Sequence, residues 1–347
     1  MMPGPERLYA LLRFEEAALA LRVVMRIKLI KLMGDHEFSQ ASLGEELGFT
    51  WQGARTFFSL LNVMGLLETR EGSFRLTQLA KECLSEDLPT SRKPYLAMGS
   101  GENVEDLINI LRGNPHKQSV PLYSHHDNDS SIMDDTAGAQ EIAYGLAARA
   151  RNFAEPLALG LAAVAPSCET LADIGAGSPY VVNACLQKIP TLQKALVVDR
   201  CNAMTFVRAI MAREQIDTNK IALHETNFFS AVPQADIYIL SNTAHDWQPR
   251  KYTKILKNIR NSISEGGVVC IHEPLLTTHY TSDSEWIHAL WMACYALTLF
   301  KLTLGEGTCY TLSEHHAMLA EAGFLPHGKP ISTSDGCSAL FYKVHRT

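Results

Sequence analysis

Short apolar runs alternate with amphipathic segments of helical length in the second half of the chain. These runs have the length and composition of buried strands, and they lie at residues 171–174, 195–198, 236–240 and 268–271. Apolar side chains at helical spacing follow the first and third runs, over residues 180–188 and 250–263. Because strands that alternate with helices are typical of βαβ units, we predict an α/β fold with a mostly parallel sheet.

The first hundred residues follow a different pattern. The pattern predicts an apolar helix at residues 8–33, two short helices joined by a turn at residues 39–47 and 50–61, and a hairpin at residues 65–77. Two helices and a turn followed by a hairpin form the winged-helix arrangement. We therefore predict a mainly α, winged-helix-like domain over residues 1–110.

Residues 111–165 are predicted to connect this domain to the next one. Their first part is polar and irregular, whereas residues 140–164 are rich in alanine and leucine and predict a long helix. The α/β domain then occupies residues 166–347. Within it, residues 286–300 predict a strongly apolar helix.

The first strand of the α/β domain ends in a glycine-rich turn that opens a helix. Gly175 and Gly177 would let the backbone bend tightly and approach a ligand closely. We expect Ser178 to cap the helix and Pro179 to occupy its first position. An ordinary strand-to-helix connection can carry the same two glycines, so the turn alone leaves a purely structural interpretation open.

The second strand ends at Asp199, about twenty residues beyond these glycines. A nucleotide-binding fold places there the carboxylate that accepts hydrogen bonds from both ribose hydroxyls. A solvated aspartate at a strand end is the alternative. In combination with the glycine-rich turn, Asp199 favours a nucleotide-like cofactor.

A further motif comes after the third strand. His245-Asp246-Trp247 precedes Lys254-Ile-Leu256 and Glu265-Gly-Gly267, after which the fourth strand ends at Glu273. In this combination the chain resembles the class I S-adenosylmethionine-dependent small-molecule O-methyltransferases, the family of caffeate, acetylserotonin and bacterial antibiotic O-methyltransferases. The resemblance covers nearly the whole chain.

This resemblance implies a Rossmann-like methyltransferase domain preceded by a winged-helix dimerisation domain, and hence a homodimer. It also implies S-adenosyl-L-methionine as the cofactor and a small hydroxylated aromatic or polyketide-like acceptor from secondary metabolism. His245 would be the general base, Glu273 would orient it, and Asp246 would help to position the pair. The residues implied to bind the cofactor are Asp173, Gly175, Gly177, Asp199, Arg200, Asn227, Phe228 and Ser241.

The chemistry of methyl transfer explains why a histidine is needed. A methyl group on a sulfonium is already activated, so the enzyme mainly aligns the acceptor and removes its proton. A phenol with a pKa of about 10 is a poor nucleophile at neutral pH unless a base takes that proton during attack. Histidine suits this role, and a carboxylate on its other ring nitrogen fixes the tautomer. The reaction requires no metal.

The chain departs from the resembled family at several places. Asn227 stands where many members have an aspartate, and Ser241 where plant members often have a lysine. Two further departures bear on the reaction. Typical members have a third glycine where this chain has Pro179. Many plant members have a second glutamate beside the base, and the simplest register puts Cys309 there, with Glu306 close but out of register. These departures leave open N- or C-methylation, or non-methylating chemistry, with the same fold and cofactor.

A third alternative is a winged-helix regulator whose second domain senses a metabolite. Charge disfavours it, because residues 1–100 contain twelve Lys and Arg against twelve Asp and Glu. The presumed recognition helix, residues 51–61, offers only Arg55 to phosphates or bases. We therefore expect no nucleic-acid partner.

Composition agrees with a cytoplasmic enzyme of two domains. The 347 residues are 46% hydrophobic and carry a formal net charge of −6, which gives no reason to expect a membrane or nucleic-acid partner. The sequence has no long uninterrupted apolar stretch, no signal-peptide pattern and no C-x-x-C pair among its eight cysteines. His125-His126 and the aspartates around it are predicted to form a solvated loop rather than a metal site.

Overall fold

The structure of the protein is a computed structural model that divides the chain into two compact units, Met1–Gly101 and Glu102–Thr347. It describes residues 18, 21, 23–25, 27–49, 54, 57–58, 61–62, 64–70, 72–85, 88, 91–92, 120–123, 131–134, 136–277, 281–282, 285, 292, 295–296, 299, 302–333 and 336–344. The polar loop at 125–129 and most of the helices predicted at 8–33 and 286–300 lie outside these residues.

The first unit combines short helices with a small antiparallel sheet. Its described elements are α1 Leu29–Met33, β1 Phe38–Ser39, α2 Gln40–Glu46, β2 Leu67–Arg70, β3 Ser73–Leu76 and α3 Gln78–Leu84. Strands β2 and β3 form the predicted hairpin, and β1 pairs with the other edge of β3. Ser39 and Thr77 each accept a hydrogen bond from a first-turn backbone N–H, so both helices that follow begin with a side-chain cap.

Apolar side chains from these elements form one core in the first unit. Leu29, Met33 and Leu43 are buried there, together with Phe58 and Leu61. The last two belong to the segment predicted as the second short helix, of which only part is described. Since Phe58 and Leu61 are fully buried, these two side chains stabilise the unit and are not available to contact a partner.

The second unit contains an eight-stranded, mostly parallel sheet with helices on both faces. The strands are β4 Thr170–Ile174, β5 Lys194–Asp199, β6 Ile221–Glu225, β7 Ala235–Ser241, β8 Ile263–Glu273, β9 Phe324–Pro326, β10 Ile331–Ser332 and β11 Ser338–Val344. The longer helices are α4 Thr136–Val164, α5 Tyr180–Lys188, α6 Cys201–Arg213, α7 Pro249–Ser262 and α8 Leu312–Glu321. This architecture confirms the predicted α/β fold class.

The strand order is β10-β11-β8-β7-β4-β5-β6, and β9 pairs with β11. Strands β4 to β8 are parallel to their neighbours, whereas β11 runs antiparallel to β8. Alternate residues of each parallel strand therefore point to opposite faces of the sheet. Leu171 and Ile237 pack against α4, α5 and α6, while Ile174 and Leu240 pack against α7 and α8.

Two local predictions were wrong in detail. Helix α5 begins at Tyr180 with Pro179 as its N-cap, so Ser178 supplies no side-chain cap. Strand β8 begins at Ile263 rather than near residue 268, because Glu265-Gly-Gly267 lies within the strand where its register to β7 shifts. A Cβ at Gly267 would approach the backbone oxygen of Asp236 to 2.5 Å, so this close crossing of the two strands requires glycine.

The core between α4 and the sheet can be tested with two leucines on one helix. Leu161 is fully buried in that core, whereas Leu159 is 53% exposed. Leu161→Ala should lower the free energy of unfolding by about 2–5 kcal/mol, because it removes buried methyl groups and leaves a cavity. Leu159→Ala, the matched control, should change it by less than about 0.5 kcal/mol. Urea unfolding followed by circular dichroism would measure both, and equal losses would contradict this packing.

Candidate active site

The carboxyl ends of the parallel strands meet at one edge of the sheet and border a cavity of about 360 Å³. The chain reverses its order in the sheet between β4 and β7, and open α/β sheets bind ligands at such a point. Gly175 follows β4, Asp199 ends β5, and Ser241 ends β7. All three line the cavity, so residues far apart in the sequence are brought together there.

Most of the residues that the resemblance selected as cofactor contacts line this cavity. They are Gly175, Gly177, Asp199, Arg200, Asn227, Phe228 and Ser241, and Asp246 lines it too. The other three predicted site residues do not line it. Asp173, His245 and Glu273 are at most 4% exposed and lie buried in the strand ends and the loop that surround the cavity.

The glycine turn has the backbone shape that only glycine adopts readily. Gly175 has φ 70° and Gly177 has φ 58°, both in the left-handed region. A Cβ on Gly175 would also come within 2.8 Å of the Thr243 side chain. The left-handed backbone therefore favours glycine at both positions, and at Gly175 there is also no room for a side chain. The backbone of this turn forms part of the cavity wall.

Asp199 stabilises this turn from the neighbouring strand. Its carboxylate accepts hydrogen bonds from the backbone N–H of Gly177 at 2.9 Å and of Arg200 at 2.7 Å. Burial raises the pKa of Asp199, and these two hydrogen bonds act in the opposite direction. Asp173, below the turn, has a pKa raised to about 8 by burial and by the charge of Asp199, and its Oδ1 has no hydrogen-bond partner.

His245 and Glu273 form a buried pair beside the cavity. His245 lies in a 3-10 turn, Ala244–Asp246, that follows β7, and its Nδ1 is 2.5 Å from Oε2 of Glu273. The other carboxylate oxygen, Oε1, accepts hydrogen bonds from the backbone N–H groups of Thr243 and Ala244 at 2.8 and 2.7 Å. Glu273 therefore fixes both the backbone that carries His245 and the orientation of its ring.

The second ring nitrogen of His245 faces another carboxylate. Oδ1 of Asp246 lies 3.7 Å from Nε2 of His245. Burial opposes protonation of His245, but the charges of Glu273 and Asp246 outweigh it and raise the pKa of the imidazole. Burial would raise the pKa of Glu273, yet the charge and hydrogen bond of His245 hold it below its usual value. Burial raises the pKa of Asp246 to about 7.

The region of the family's second glutamate is also described. Cys309, which the simplest register places there, is 2% exposed and packs against Ala296 and Leu299. Oε1 of Glu306 lies 3.2 Å from Lys251 Nζ in a salt bridge. The second carboxylate found next to His245 is therefore Asp246, which comes from the same short motif.

Arg149 is a cavity residue that the sequence analysis did not select. It lies on α4 and is only 8% exposed, and it shares its side of the helix with Leu146, Ala150 and Phe153, which also line the cavity. A charged residue on the apolar side of a predicted helix was the available signal. Tyr123 and Asn242 also line the cavity, and no motif pointed to them.

No group of three or more His, Cys, Asp and Glu residues described by the structure is placed to hold a metal ion. Among the helices described, none is long and apolar enough to cross a membrane.

Comparison with known proteins identifies the type of domain. A family model described as an O-methyltransferase domain matches residues 157–325. Acetylserotonin O-methyltransferase from Bos taurus is 30% identical over 44% of this chain and 42% of its own length. The chain thus aligns with less than half of that relative. O-methyltransferase SfmM3 from Streptomyces lavendulae is 23% identical over 88% of this chain and 90% of its own length.

Solved structures share the fold over almost the full chain. Human N-acetylserotonin methyltransferase, solved in complex with SAM, superposes with a TM-score of 0.73 at 19% identity and covers 100% of both chains. The mitomycin 7-O-methyltransferase MmcR superposes with a TM-score of 0.72 at 17% identity and covers 98% of this chain and 97% of its own. At these identities the likeness shows the fold. Residues 157–325 are the part of the chain that is similar to O-methyltransferase domains.

Proposed function

We propose that this protein is an S-adenosylmethionine-dependent O-methyltransferase that methylates a hydroxyl group of a small aromatic or polyketide-like metabolite. The observation that carries the proposal is the His245–Glu273 pair, whose 2.5 Å contact lies beside the cavity at the strand ends. A buried base with a fixed tautomer is what deprotonation of a weakly acidic hydroxyl needs. The family of the matched domain supports the same reaction.

The residues around the cavity fit the cofactor. Asp199 would accept hydrogen bonds from the ribose hydroxyls, and Asn227 and Phe228 would contact the adenine. The backbone of the turn at Gly175 and Gly177 would lie against the amino-acid end, with Arg200 and Ser241 close by. Below the turn, the buried Oδ1 of Asp173 has no hydrogen-bond partner and would accept a hydrogen bond from a group bound there.

The fit extends to the chemistry of the site. When bound, S-adenosylmethionine supplies an activated methyl group. Nε2 of His245 would accept the proton of the acceptor hydroxyl, and Glu273 would hold Nδ1 protonated and stabilise the imidazolium that forms. Asp246, at 3.7 Å from Nε2, would add a second negative charge beside that proton. The oxygen gains the methyl group, and the proton leaves His245 for solvent after product release.

The same proposal includes the partners of the protein. The first unit, with balanced charge and a compact apolar core, would serve as the dimerisation domain of a homodimer. We propose a cytoplasmic location and no nucleic-acid partner on the basis of net charge and cysteine pattern.

Cofactor binding can be tested at Asp199. Asp199→Asn keeps the shape but removes the charge that the ribose hydroxyls would contact, so affinity for S-adenosylmethionine and S-adenosylhomocysteine should both fall about 10- to 100-fold. Glu225→Gln, at the exposed end of the neighbouring strand β6, should leave both affinities unchanged. Isothermal calorimetry measures the two ligands directly. Absence of binding to the unaltered protein would refute the proposed function.

The base assignment predicts a different effect for His245. His245→Ala should lower kcat by about 10²- to 10⁴-fold, because it removes the general base, while affinity for S-adenosylhomocysteine stays the same. His224→Ala, on the exposed part of β6, is the matched control and should keep full activity. The measurement is methyl transfer to an accepted hydroxylated aromatic, detected by mass spectrometry. Unchanged turnover in His245→Ala would remove the histidine from the mechanism.

The pH dependence of the reaction should report the His245–Glu273 pair. The base works only when deprotonated, and the carboxylates raise its pKa, so kcat/KM should rise with pH through a midpoint above the ordinary histidine value of about 6.5. Glu273→Gln removes one of these charges and should move the midpoint to lower pH while reducing the maximal rate. Profiles of kcat/KM for both proteins test this, and an identical midpoint would argue against the pairing.

A further inference from the structure

The loop that carries His245 is also held from a second side, by the segment of chain just before α8. The backbone N–H of Thr308 donates a hydrogen bond to the carbonyl of His245 at 2.8 Å. The hydroxyl of Tyr310 donates another to the carbonyl of Trp247 at 2.5 Å. We call residues 306–310 the clamp, because they hold the loop through its carbonyl groups.

Glu273 and the clamp act on different parts of the loop. Glu273 accepts hydrogen bonds from two backbone N–H groups that precede His245 in the chain. The clamp instead holds the carbonyls of His245 and Trp247, the residues on either side of Asp246. The position of Asp246 thus depends on the clamp as well as on Glu273.

The clamp is itself anchored in the protein. The backbone N–H of Gly307 donates to Oγ1 of Thr303 at 2.7 Å, and that hydroxyl donates to the carbonyl of Leu299 at 2.7 Å. The salt bridge of Glu306 joins the clamp to α7. A Cβ at Gly307 would come within 2.6 Å of the carbonyl oxygen of His245, so the two backbones lie in direct contact. Movement of the clamp would therefore move the loop.

Tyr310 is enclosed by buried aromatic side chains. It is 4% exposed, its ring stacks on that of Tyr252 with centroids 6.1 Å apart, and it meets the ring of His315 edge-on at 5.7 Å. Burial raises the pKa of the Tyr310 hydroxyl, which therefore keeps the proton that it donates. The packing of the ring thus directs a fixed hydrogen-bond donor at the carbonyl of Trp247.

The position of Asp246 matters because its charge acts on His245. Oδ1 of Asp246 is 3.7 Å from Nε2 of His245, and the attraction between them weakens as this distance grows. The titratable and charged groups around His245 come from several elements: Glu273 of β8, Asp246 of the turn itself, Arg149 of α4, His315 of α8, and Tyr295, whose ring is 5.9 Å away. The two carboxylates stabilise the protonated imidazole.

We infer that Tyr310 is a positioning residue for His245. By holding the carbonyl of Trp247, its hydroxyl keeps the carboxylate of Asp246 next to Nε2 of His245. Tyr310 is not among the residues that line the cavity, so it acts through the loop. The inference rests on the proposed function, in which His245 removes the proton of the acceptor.

Tyr310→Phe tests this role, because it keeps the ring and removes the hydroxyl. With the carbonyl of Trp247 released, Asp246 should move away from His245 and leave less negative charge beside the imidazole. The pKa of His245 should then fall, and the midpoint of kcat/KM against pH should move down by about 0.3–1 pH unit. The base becomes weaker and less well oriented, so kcat should fall about 3- to 10-fold while affinity for S-adenosylhomocysteine stays the same.

Tyr238→Phe is the matched control. Tyr238 is fully buried, and its hydroxyl donates to the carbonyl of Pro233, which precedes β7 and lies away from the loop. This variant should leave both the midpoint and kcat unchanged. NMR titration of protein with isotope-labelled histidine measures the pKa of His245 without turnover. The signal of His245 is identified by its loss in His245→Gln.

A double variant separates the positioning of Asp246 from a general structural role. When Tyr310→Phe is added to Asp246→Asn, the pKa of His245 should move by less than about 0.2 pH unit, because the charge that Tyr310 positions is already gone. Thr303→Val loosens the clamp from its other end and should give a smaller shift in the same direction as Tyr310→Phe. It decides the matter if Tyr310→Phe fails to fold.

An unchanged pKa of His245 in Tyr310→Phe and in Thr303→Val would overturn the inference. An equal shift with and without Asp246→Asn would do so as well, because Tyr310 would then act by another route. The NMR titration also distinguishes this inference from the proposed function. Failure of the unaltered protein to bind S-adenosylhomocysteine or to transfer a methyl group would reject the proposed function, whereas the titration would still show whether Tyr310 positions Asp246.

Discussion

The buried carboxylate of Glu273 is the interaction on which the site depends. It ends β8 and accepts hydrogen bonds from two backbone N–H groups and from the ring of His245. A buried carboxylate without such partners would be strongly destabilised, so the loop after β7 must adopt this conformation for the strand end to stay charged. That loop places Asp246 at the cavity wall and His245 behind it. The orientation of His245 and the folding of the sheet edge therefore have a common origin.

A second carboxylate has a comparable role on the other side of the cavity. Asp199 joins the end of β5 to the glycine turn after β4 through the backbone N–H of Gly177. The turn must bend in the left-handed region to make this contact, and Thr243 leaves no room for a side chain at Gly175. Thr243 follows β7, so three strand ends fix one another. The cavity thus owes its shape to contacts between loops as much as to the sheet.

Much of this arrangement could be predicted from the sequence, because it depends on local patterns. Apolar runs located β4, β5, β7 and β8 but not β6, and the spacing from the glycines to Asp199 and the His245 motif located the strand ends. The sequence could not show that Glu265-Gly-Gly267 lies inside β8, since that depends on how closely β7 approaches. Nor could it show which side of α4 faces the cavity. The sequence shows Arg149 as a charged residue among apolar ones on α4, but not that Tyr295 and Cys337, more than a hundred residues away, lie beside it.

The long helix α4 has two different tasks along its length. Leu146 and Arg149 line the cavity, whereas Leu157 and Leu161, about two to four turns later, are fully buried in the core against the sheet. Substitutions in the first part can alter which molecules the cavity accepts while the second part continues to anchor the helix. Ligand preference and fold stability are thereby assigned to separate segments of one element. Within a family that shares this fold, such a division would allow substrate range to diversify during evolution without loss of the core.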